Sequence, residues 1–369
     1  MDLDLLAATL DDLGTPAFRR RQVVHALTRE LAADWDEVTT LAKPLRAQLA
    51  ARVPFTTVST DVAERSDDGS VKLRLRTHDG YPLEAVLMRF ETRREGSGAK
   101  TSRYTACLSS QSGCALACTF CATGRMGLGR NLTRHEIVDQ FLILAREHLR
   151  GRGARIDNVV MMGMGEPFHN YDEVIAALRT LNDPDGIGLA ARRMAISTVG
   201  WIPGIDKLAD EDIQIKLALS LHAPNDEVRT RLMPVTKRYN VTELMAACRR
   251  YRETTRRRIF IEYLMLQGVN DAPEHARELA GLLSGGGFHV NLIAYNPTGS
   301  EYLGSDDATV GRFAAILEGR DVPTSYRISR ARDISGACGQ LAAPLAAVRA
   351  QRRAERAARI AQQEPVPAG

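Results

Sequence analysis

Between Tyr104 and Asn296 the chain repeats one pattern, a short apolar run followed by a stretch with helical periodicity. The apolar runs are YTACLSS, NVVMMGM, MAISTVG, IKLALSLH, IFIEYLML and HVNLIAYN. Among the stretches between them are NLTRHEIVDQFLILAREHL, YDEVIAALRTL, VTELMAACRRYRE and PEHARELAGLL, whose apolar residues recur at helical spacing. The first of these opens with Thr133 and Glu136 in capping-box positions. Six such alternations predict an α/β fold with a parallel sheet and right-handed crossovers. A barrel or partial barrel, (β/α)6, is the natural closure, with functional groups at the C-terminal ends of the strands.

The flanks differ. Residues 1 to 55 read as helical: PAFRRRQVVHAL places Phe18, Val23, Val24 and Leu27 at near-helical spacing after Pro16, and a further helix is expected over Lys43 to Arg52. From residue 56 the pattern changes to strands, VKLRLRT and PLEAVLMRF, with DDG and HDG as turns. ETRREGSGAKTS reads as a polar linker. The expected organisation is a helical accessory module over 1–55, a β-rich connecting region over 56–100 that carries Glu84, a core over 101–345, and a basic tail over 346–369 that forms an exposed helix.

No apolar run approaches the roughly 18 residues of a membrane span. The start, MDLDLLAATLDDLG, lacks the basic-then-apolar order of a signal peptide. A cytoplasmic monomer with no membrane partner is expected. The net charge of +4 identifies no partner by itself. Arginines do cluster, at 19–21, at 249, 250 and 252, at 256–258, and between 349 and 359. Such groups suit phosphate contacts, and equally suit solvated helix faces.

Four of the six cysteines fall between Cys107 and Cys121, a density that reads as metal binding or catalysis in a reducing compartment. The motif is Cys114-x-x-x-Cys118-x-x-Cys121, with Phe120 before the last cysteine. Three thiolates on one loop can hold three irons of a cubane and leave the fourth open. Zinc is the rival, with Cys107 or a histidine as fourth ligand. The loop follows the first strand of the array and precedes its first helix, which favours the cluster.

This loop resembles that of the radical S-adenosylmethionine (SAM) superfamily. The span from about residue 82 to 343 resembles the RlmN/Cfr family of RNA methyltransferases, through CLSSQSGCALACTFCATG, RNLT, MGMGEP, STVG, SLHAPN, RLMP, EYLMLQGVND, NLIAYNP and GACGQL. The resemblance implies a radical SAM barrel in which Cys114, Cys118 and Cys121 ligate a [4Fe–4S] cluster, with SAM on its open iron. It implies that Gly165 and Glu166 form a SAM-binding turn, and that Ser197, Ser220, Leu221 (through its backbone), His222 and Asn296 make the other SAM contacts. Taken singly, a Glu after Gly reads as a surface turn and a strand-end Ser or Asn as a cap.

The resemblance also implies a mechanism. Adenine C2 and C8 are electron-poor and do not attack a SAM methyl group as nucleophiles. Family members carry the methyl group on a cysteine, matched here by Cys338 in DISGACGQLA. Two SAM molecules serve each turnover, one to methylate Cys338 and one to supply the radical that activates the methyl group. Cys107 matches the cysteine that forms a disulfide with Cys338 to free the product, and Glu84 matches the proton acceptor. Without the resemblance, Glu84 reads as an exposed strand residue, Cys107 as a small buried one, and Cys248 as helix packing. The implied partners are 23S rRNA, a tRNA adenosine next to the anticodon, and an electron donor such as flavodoxin or ferredoxin. The target base must leave any stack to react. The N-terminal module would be the accessory RNA-binding domain. C2 methylation is the expectation. C8 methylation as in Cfr, a radical SAM reaction on another substrate, and a zinc-dependent RNA-binding protein remain open.

Overall fold

The computed structural model describes residues 1–93, 100–342 and 353. The chain opens with α1 (Leu3–Asp12), α2 (Phe18–Thr28) and α3 (Lys43–Arg52). The last has the expected bounds, with Pro44 in its first turn, where a missing N–H costs nothing. Leu6, Leu10, Val23, Leu27 and Leu49 pack with Trp35 in a hydrophobic cluster of their own. The buried Trp35 indole donates to the Val53 carbonyl at 2.9 Å, so the aromatic is anchored at no polar cost.

Strands β1 (Val58–Arg65), β2 (Val71–Thr77) and β3 (Pro82–Arg93) form an antiparallel meander, and β3 pairs antiparallel with β4 (Lys100–Cys107). Next come β5 (Gln111–Cys114), α4 (Ala122–Met126), β6 (Gly127–Asn131), α5 (Arg134–Leu149) and β7 (Ile156–Met161). The alternation continues through α6 (Tyr171–Asn182), β8 (Met194–Thr198), α7 (Ile202–Ala209), β9 (Lys216–Ser220), α8 (Asp226–Leu232) and α9 (Val241–Thr255). It ends with β10 (Ile259–Met265), α10 (Pro273–Leu282), β11 (Phe288–Ala294), α11 (Asp307–Glu318) and β12 (Thr324–Arg327).

Ten strands form one open sheet in the order β1-β2-β3-β4-β7-β8-β9-β10-β11-β12, and every neighbouring pair from β4 onward is parallel. The six expected strands are β4 and β7 to β11. The sheet adds a seventh parallel strand, β12, whose sequence TSYR is too short and polar to read as one. The hairpin β5–β6 was likewise unexpected and forms a small sheet of its own. The meander is hydrogen-bonded onto the parallel array through β3 and β4, so residues 58–93 extend the core sheet. Between sheet and helices, Val159, Ile196, Leu217, Ile261 and Leu292 pack against Ile137, Phe141, Leu178, Leu244 and Leu279. The expected capping box on α5 is present: Thr133 Oγ1 accepts from the Glu136 amide at 3.3 Å, and Glu136 Oε2 accepts from the Thr133 amide at 2.9 Å.

The sheet does not close. Its edges are β1 and β12, and the segment after β12 crosses back to the meander. Asp68 Oδ2 accepts from the Ala331 amide at 3.0 Å, Ser66 Oγ donates to Asp333 Oδ1 at 2.6 Å, and Glu84 Oε2 accepts from the Ala342 amide at 2.8 Å. Residues 94–99 of the expected linker lie outside the described residues, and its two ends belong to β3 and β4. The expected tail helix also falls outside them, apart from Arg353, which is helical and exposed. Among the described residues no helix is long and apolar enough to cross a membrane.

Cys248 lies fully buried on α9, within the main core. Cys248→Ala removes one buried sulfur and is expected to cost about 1 kcal/mol in chemical denaturation, with the iron content of the reconstituted protein unchanged. Loss of iron would give Cys248 a role beyond packing.

Candidate active site

The C-terminal ends of the parallel strands surround one cleft, with ≈ 1110 Å³ of empty space including its open mouth. The hairpin β5–β6 builds one wall. Cys114 ends β5 opposite Gly127, and Cys121 caps the start of α4. The loop between is held from three sides: the Cys121 amide donates to the Cys118 carbonyl at 3.1 Å, the Thr119 amide to the Leu232 carbonyl at 3.0 Å, and the Ala122 amide to the Gly339 carbonyl at 2.8 Å. Cys114, Cys118 and Cys121 all line the cleft, with Gly165, Glu166, Ser197, Ser220, His222 and Cys338 around it.

Each of these positions follows from its strand end. Gly165, beyond β7, has φ +101°, and a Cβ there would stand 2.6 Å from the Gln111 side chain, so only glycine fits the turn. Glu166 is buried, and its two oxygens accept from the amides of Phe168 at 3.0 Å and Val199 at 2.9 Å. It thereby ties the turn after β7 to the end of β8. Ser197 Oγ and Ser220 Oγ are 3.2 Å apart across β8 and β9. His222 Nδ1 accepts from the Leu264 amide at 3.1 Å, and its ring meets Phe120 edge-on at 5.0 Å. Burial, then Arg229, lowers His222 to about 3, so the ring is neutral with its proton on Nε2.

Two expected SAM contacts lie off the cleft surface. The Leu221 side chain is in the core, because it alternates with Ser220 and His222. Asn296 is buried and donates to Ser329 Oγ at 2.9 Å and to the Cys338 carbonyl at 3.4 Å. Its Oδ1 has no partner among the described residues, so a ligand N–H or O–H would satisfy it.

Three observations bear on whether an iron–sulfur cluster fits. Burial raises the thiol of Cys114 to about 12 and that of Cys118 well above its ordinary value, so thiolates there need a cationic centre. Among the described residues the His/Cys/Asp/Glu group whose ligand atoms all lie within 4.8 Å is Asp2, Asp4 and His135, so at least one pair of the three sulfurs stands wider apart than that. A tetrahedral zinc would hold them about 3.8 Å apart. Arg229 on α8 is fully buried and donates to the carbonyls of Leu221 at 3.1 Å and Ser220 at 3.4 Å, to that of Val199, and to Thr236 Oγ1 at 2.9 Å. It has no carboxylate within ion-pair distance among the described residues, and its strongest electrostatic partner is Cys118. A buried cation facing the cysteine loop suits a cluster of net negative charge.

Beside the cleft lie the remaining candidates. Cys338 lines its mouth and is partly open to solvent, yet the surrounding protein, then Glu262, raises its thiol to about 11. Cys107 ends β4, buried among Val86, Met126, Met164 and Leu341, and its thiol is raised by burial and then by Cys338. Glu84 is not the exposed residue that its strand pattern suggests. It is 4% exposed because β2 and the loop after β4 at Ser109 flank it and the segment around Ala342 covers it. Burial raises its carboxyl, opposed by Lys72, whose Nζ is 4.0 Å away. The implied Cys107–Cys338 disulfide is not formed, since all six cysteines are free thiols.

Sequence reasoning missed Glu262. On β10 it lines the cleft and accepts from Asn291 Nδ2 at 2.7 Å, while Arg327 Nε holds Asn291 Oδ1 at 2.8 Å. Its signal was available: it is the one acid in the apolar run IFIEYLML. Arg229 had no such signal, because its neighbours on α8 are also charged.

Burial also lifts the Glu166 carboxyl, to about 7, against the pull of its backbone donors. An acid raised above its unfolded value of 4.5 stabilises the fold while protonated. That contribution is full below about 4.5 and is lost as pH rises through 7. Glu166→Gln is therefore expected to flatten the decline in stability between pH 5 and 8, read by urea unfolding at a series of pH values. An unchanged slope would show that Glu166 ionises as freely folded as unfolded.

Comparison with known proteins agrees with this geometry. Residues 108–280 match the model of the radical SAM superfamily. The protein of Chloroflexus aurantiacus named "Probable dual-specificity RNA methyltransferase RlmN" is 44% identical over 354 residues, covering 92% of this chain and 91% of its own. A protein of the same name from Thermus thermophilus is 45% identical over 334 residues, covering 90% and 91%. The crystal structure of a radical SAM methyltransferase from Sphaerobacter thermophilus superposes with a TM-score of 0.85 at 46% identity, covering 92% of this chain and 97% of that one. With three cysteines on the loop after the first parallel strand, and relatives this similar along nearly their whole length, the chain belongs to the RlmN family of radical SAM RNA methyltransferases.

Proposed function

We propose that this protein methylates C2 of an adenosine in 23S rRNA, and an adenosine next to the anticodon of tRNA, through a one-carbon unit carried on Cys338. The observation that carries this reading is the pair of free thiols, Cys338 at the cleft mouth and Cys107 buried beside it, both outside the three-cysteine motif. The relatives' names support RNA as the substrate and the RlmN rather than the Cfr subfamily, hence C2.

A [4Fe–4S] cluster on Cys114, Cys118 and Cys121, with two SAM molecules per turnover, would supply the methyl group and the radical chemistry. The turn at Gly165 and Glu166, the paired hydroxyls of Ser197 and Ser220, the Leu221 backbone, His222 and the open Oδ1 of Asn296 are the groups we assign to SAM. Reducing equivalents would come from flavodoxin or ferredoxin in the cytoplasm.

The rest is work for the chain's own residues. Cys338 presents its sulfur to the cleft, so the one-carbon unit it carries faces an unstacked base. Glu84, whose carboxyl burial raises and the Ala342 amide orients, would accept the proton that leaves C2, and the odd electron left on the base would pass to the one-electron acceptor that the cluster supplies. Cys107 then attacks the Cys338 sulfur. The sulfur–carbon bond breaks, the carbon takes the electron pair and a proton to become the methyl group, and the two sulfurs are joined until a reductant separates them.

The two cysteines act at different stages, which separates their variants. Cys338→Ala is expected to give no thioether and no RNA product. Cys107→Ala is expected to accumulate a protein–RNA adduct through Cys338 that survives boiling in detergent and collapses with ribonuclease. Normal turnover by Cys107→Ala, or an adduct on another residue, would overturn these roles. Mass spectrometry of 23S rRNA nucleosides from a deletion strain is expected to lose 2-methyladenosine; loss of the 8-methyl isomer instead would reassign the carbon.

A further inference from the structure

The two arginine clusters that the sequence separates, at 249–252 and 256–258, meet in one groove, with ≈ 1060 Å³ of empty space including the open solvent at its mouth. Arg249, Arg252, Arg256, Arg257 and Arg258 line it with Glu253 and the turn at Ser284, Gly285 and Gly287. These residues end α9 and connect α10 to β11, so the groove lies at the N-terminal ends of β10 and β11. The cleft is at the other end of the same strands. Seven residues of β10 at about 3.3 Å each put about 20 Å between them.

The groove holds five guanidinium groups against one carboxylate. Among the described residues none of the five makes an ion pair, whereas Arg250 next to them pairs with Asp206 at 2.9 Å. Their contacts hold them in place without neutralising them. Arg249 donates to the Leu282 carbonyl at 3.0 Å and Arg257 to that of Ile213 at 3.2 Å, and Arg252 lies over the Phe288 ring at 4.9 Å. Gly287, at φ +78°, leaves room for Arg252, since a Cβ there would stand 1.9 Å from the guanidinium. The negative end of α9 offsets about half a charge, and five guanidinium groups are far in excess of that.

We infer that this groove binds the phosphate backbone of the RNA substrate at a point remote from the methylated base. The inference rests on the RNA-methyltransferase reading. A run of unpaired guanidinium groups matches a repeating anion and wins affinity by releasing counterions. An acidic electron-donor protein is the lesser fit, because about 20 Å of sheet separates the groove from the cysteine loop. At ~3.4 Å per stacked nucleotide, about six stacked nucleotides span the distance from cleft to groove, and an extended strand needs fewer. The groove therefore distinguishes folded RNA from a short strand that carries only the target base.

The test compares the wild type with the double variant Arg256→Glu/Arg258→Glu. Two probes are used across a salt series: a folded 23S rRNA transcript containing the target adenosine, and a single strand of about three nucleotides, too short to reach the groove even when unstacked and extended. The variant is expected to bind the transcript at least about tenfold more weakly, with the slope of log affinity against log salt reduced by roughly 1 to 2. Its affinity for the short strand and its SAM cleavage without RNA should match wild type, and Arg256→Lys/Arg258→Lys should retain transcript binding. If the Glu variant loses SAM cleavage through misfolding, Arg256→Gln/Arg258→Gln is measured in its place. Unchanged transcript affinity and salt slope, or equal loss on the short strand, would overturn the groove. So would slower reduction by flavodoxin with transcript binding intact. Failure of the wild type to bind either RNA would instead strike the functional reading.

Discussion

Cys338 and Cys107 lie at opposite ends of the core sequence, and a few hydrogen bonds bring them to one place. The segment after β12 would otherwise leave the sheet at an exposed edge. Instead the Asp68 and Asp333 carboxylates pin it to the β1–β2 turn, and Glu84 receives its amide at Ala342. The Gly339 carbonyl, next to Cys338, accepts from the Ala122 amide at the end of the cysteine loop. The open sheet makes this return possible: a closed barrel would have no gap for the segment to cross. The three antiparallel strands added to the array serve as the anchor for the loop that carries Cys338.

That arrangement takes ionisable groups out of water. The thiols of Cys107, Cys114, Cys118 and Cys338 are raised, His222 is lowered, and the carboxyls of Glu84, Glu166 and Glu262 are raised, each chiefly by burial. Arg229 is the buried positive charge among them. Desolvated groups of this kind are costly alone and respond strongly to a charged ligand. The polypeptide thus has a cleft whose electrostatics a metal cluster and a charged cofactor would complete.

Much of the fold was legible because its signals are local. Parallel strands buried on both faces read as continuous apolar runs, and each of the six was found. The capping box at Thr133 and the bounds of α3 depend on a few adjacent residues. β12 and the hairpin β5–β6 were not legible, because TSYR and QSGC become strands only when neighbours pair with them. The three cysteines and the strand-end residues were legible as motifs. Glu84 was misplaced by a pattern that ignores what covers it, and the buried Arg229 looked like any other helix arginine.

The sequence by itself determined the local periods, the alternation of strands and helices, and the set of chemical groups, since each depends on residues close in the chain. Tertiary structure decided which groups share a cleft and which charges lose their water. It set Cys338 beside Cys107 across the gap in the sheet, and it joined two separate arginine runs into one groove at the far end of β10. Those outcomes depend on long-range packing and on desolvation, which are properties of neighbours in space that no short window of sequence contains.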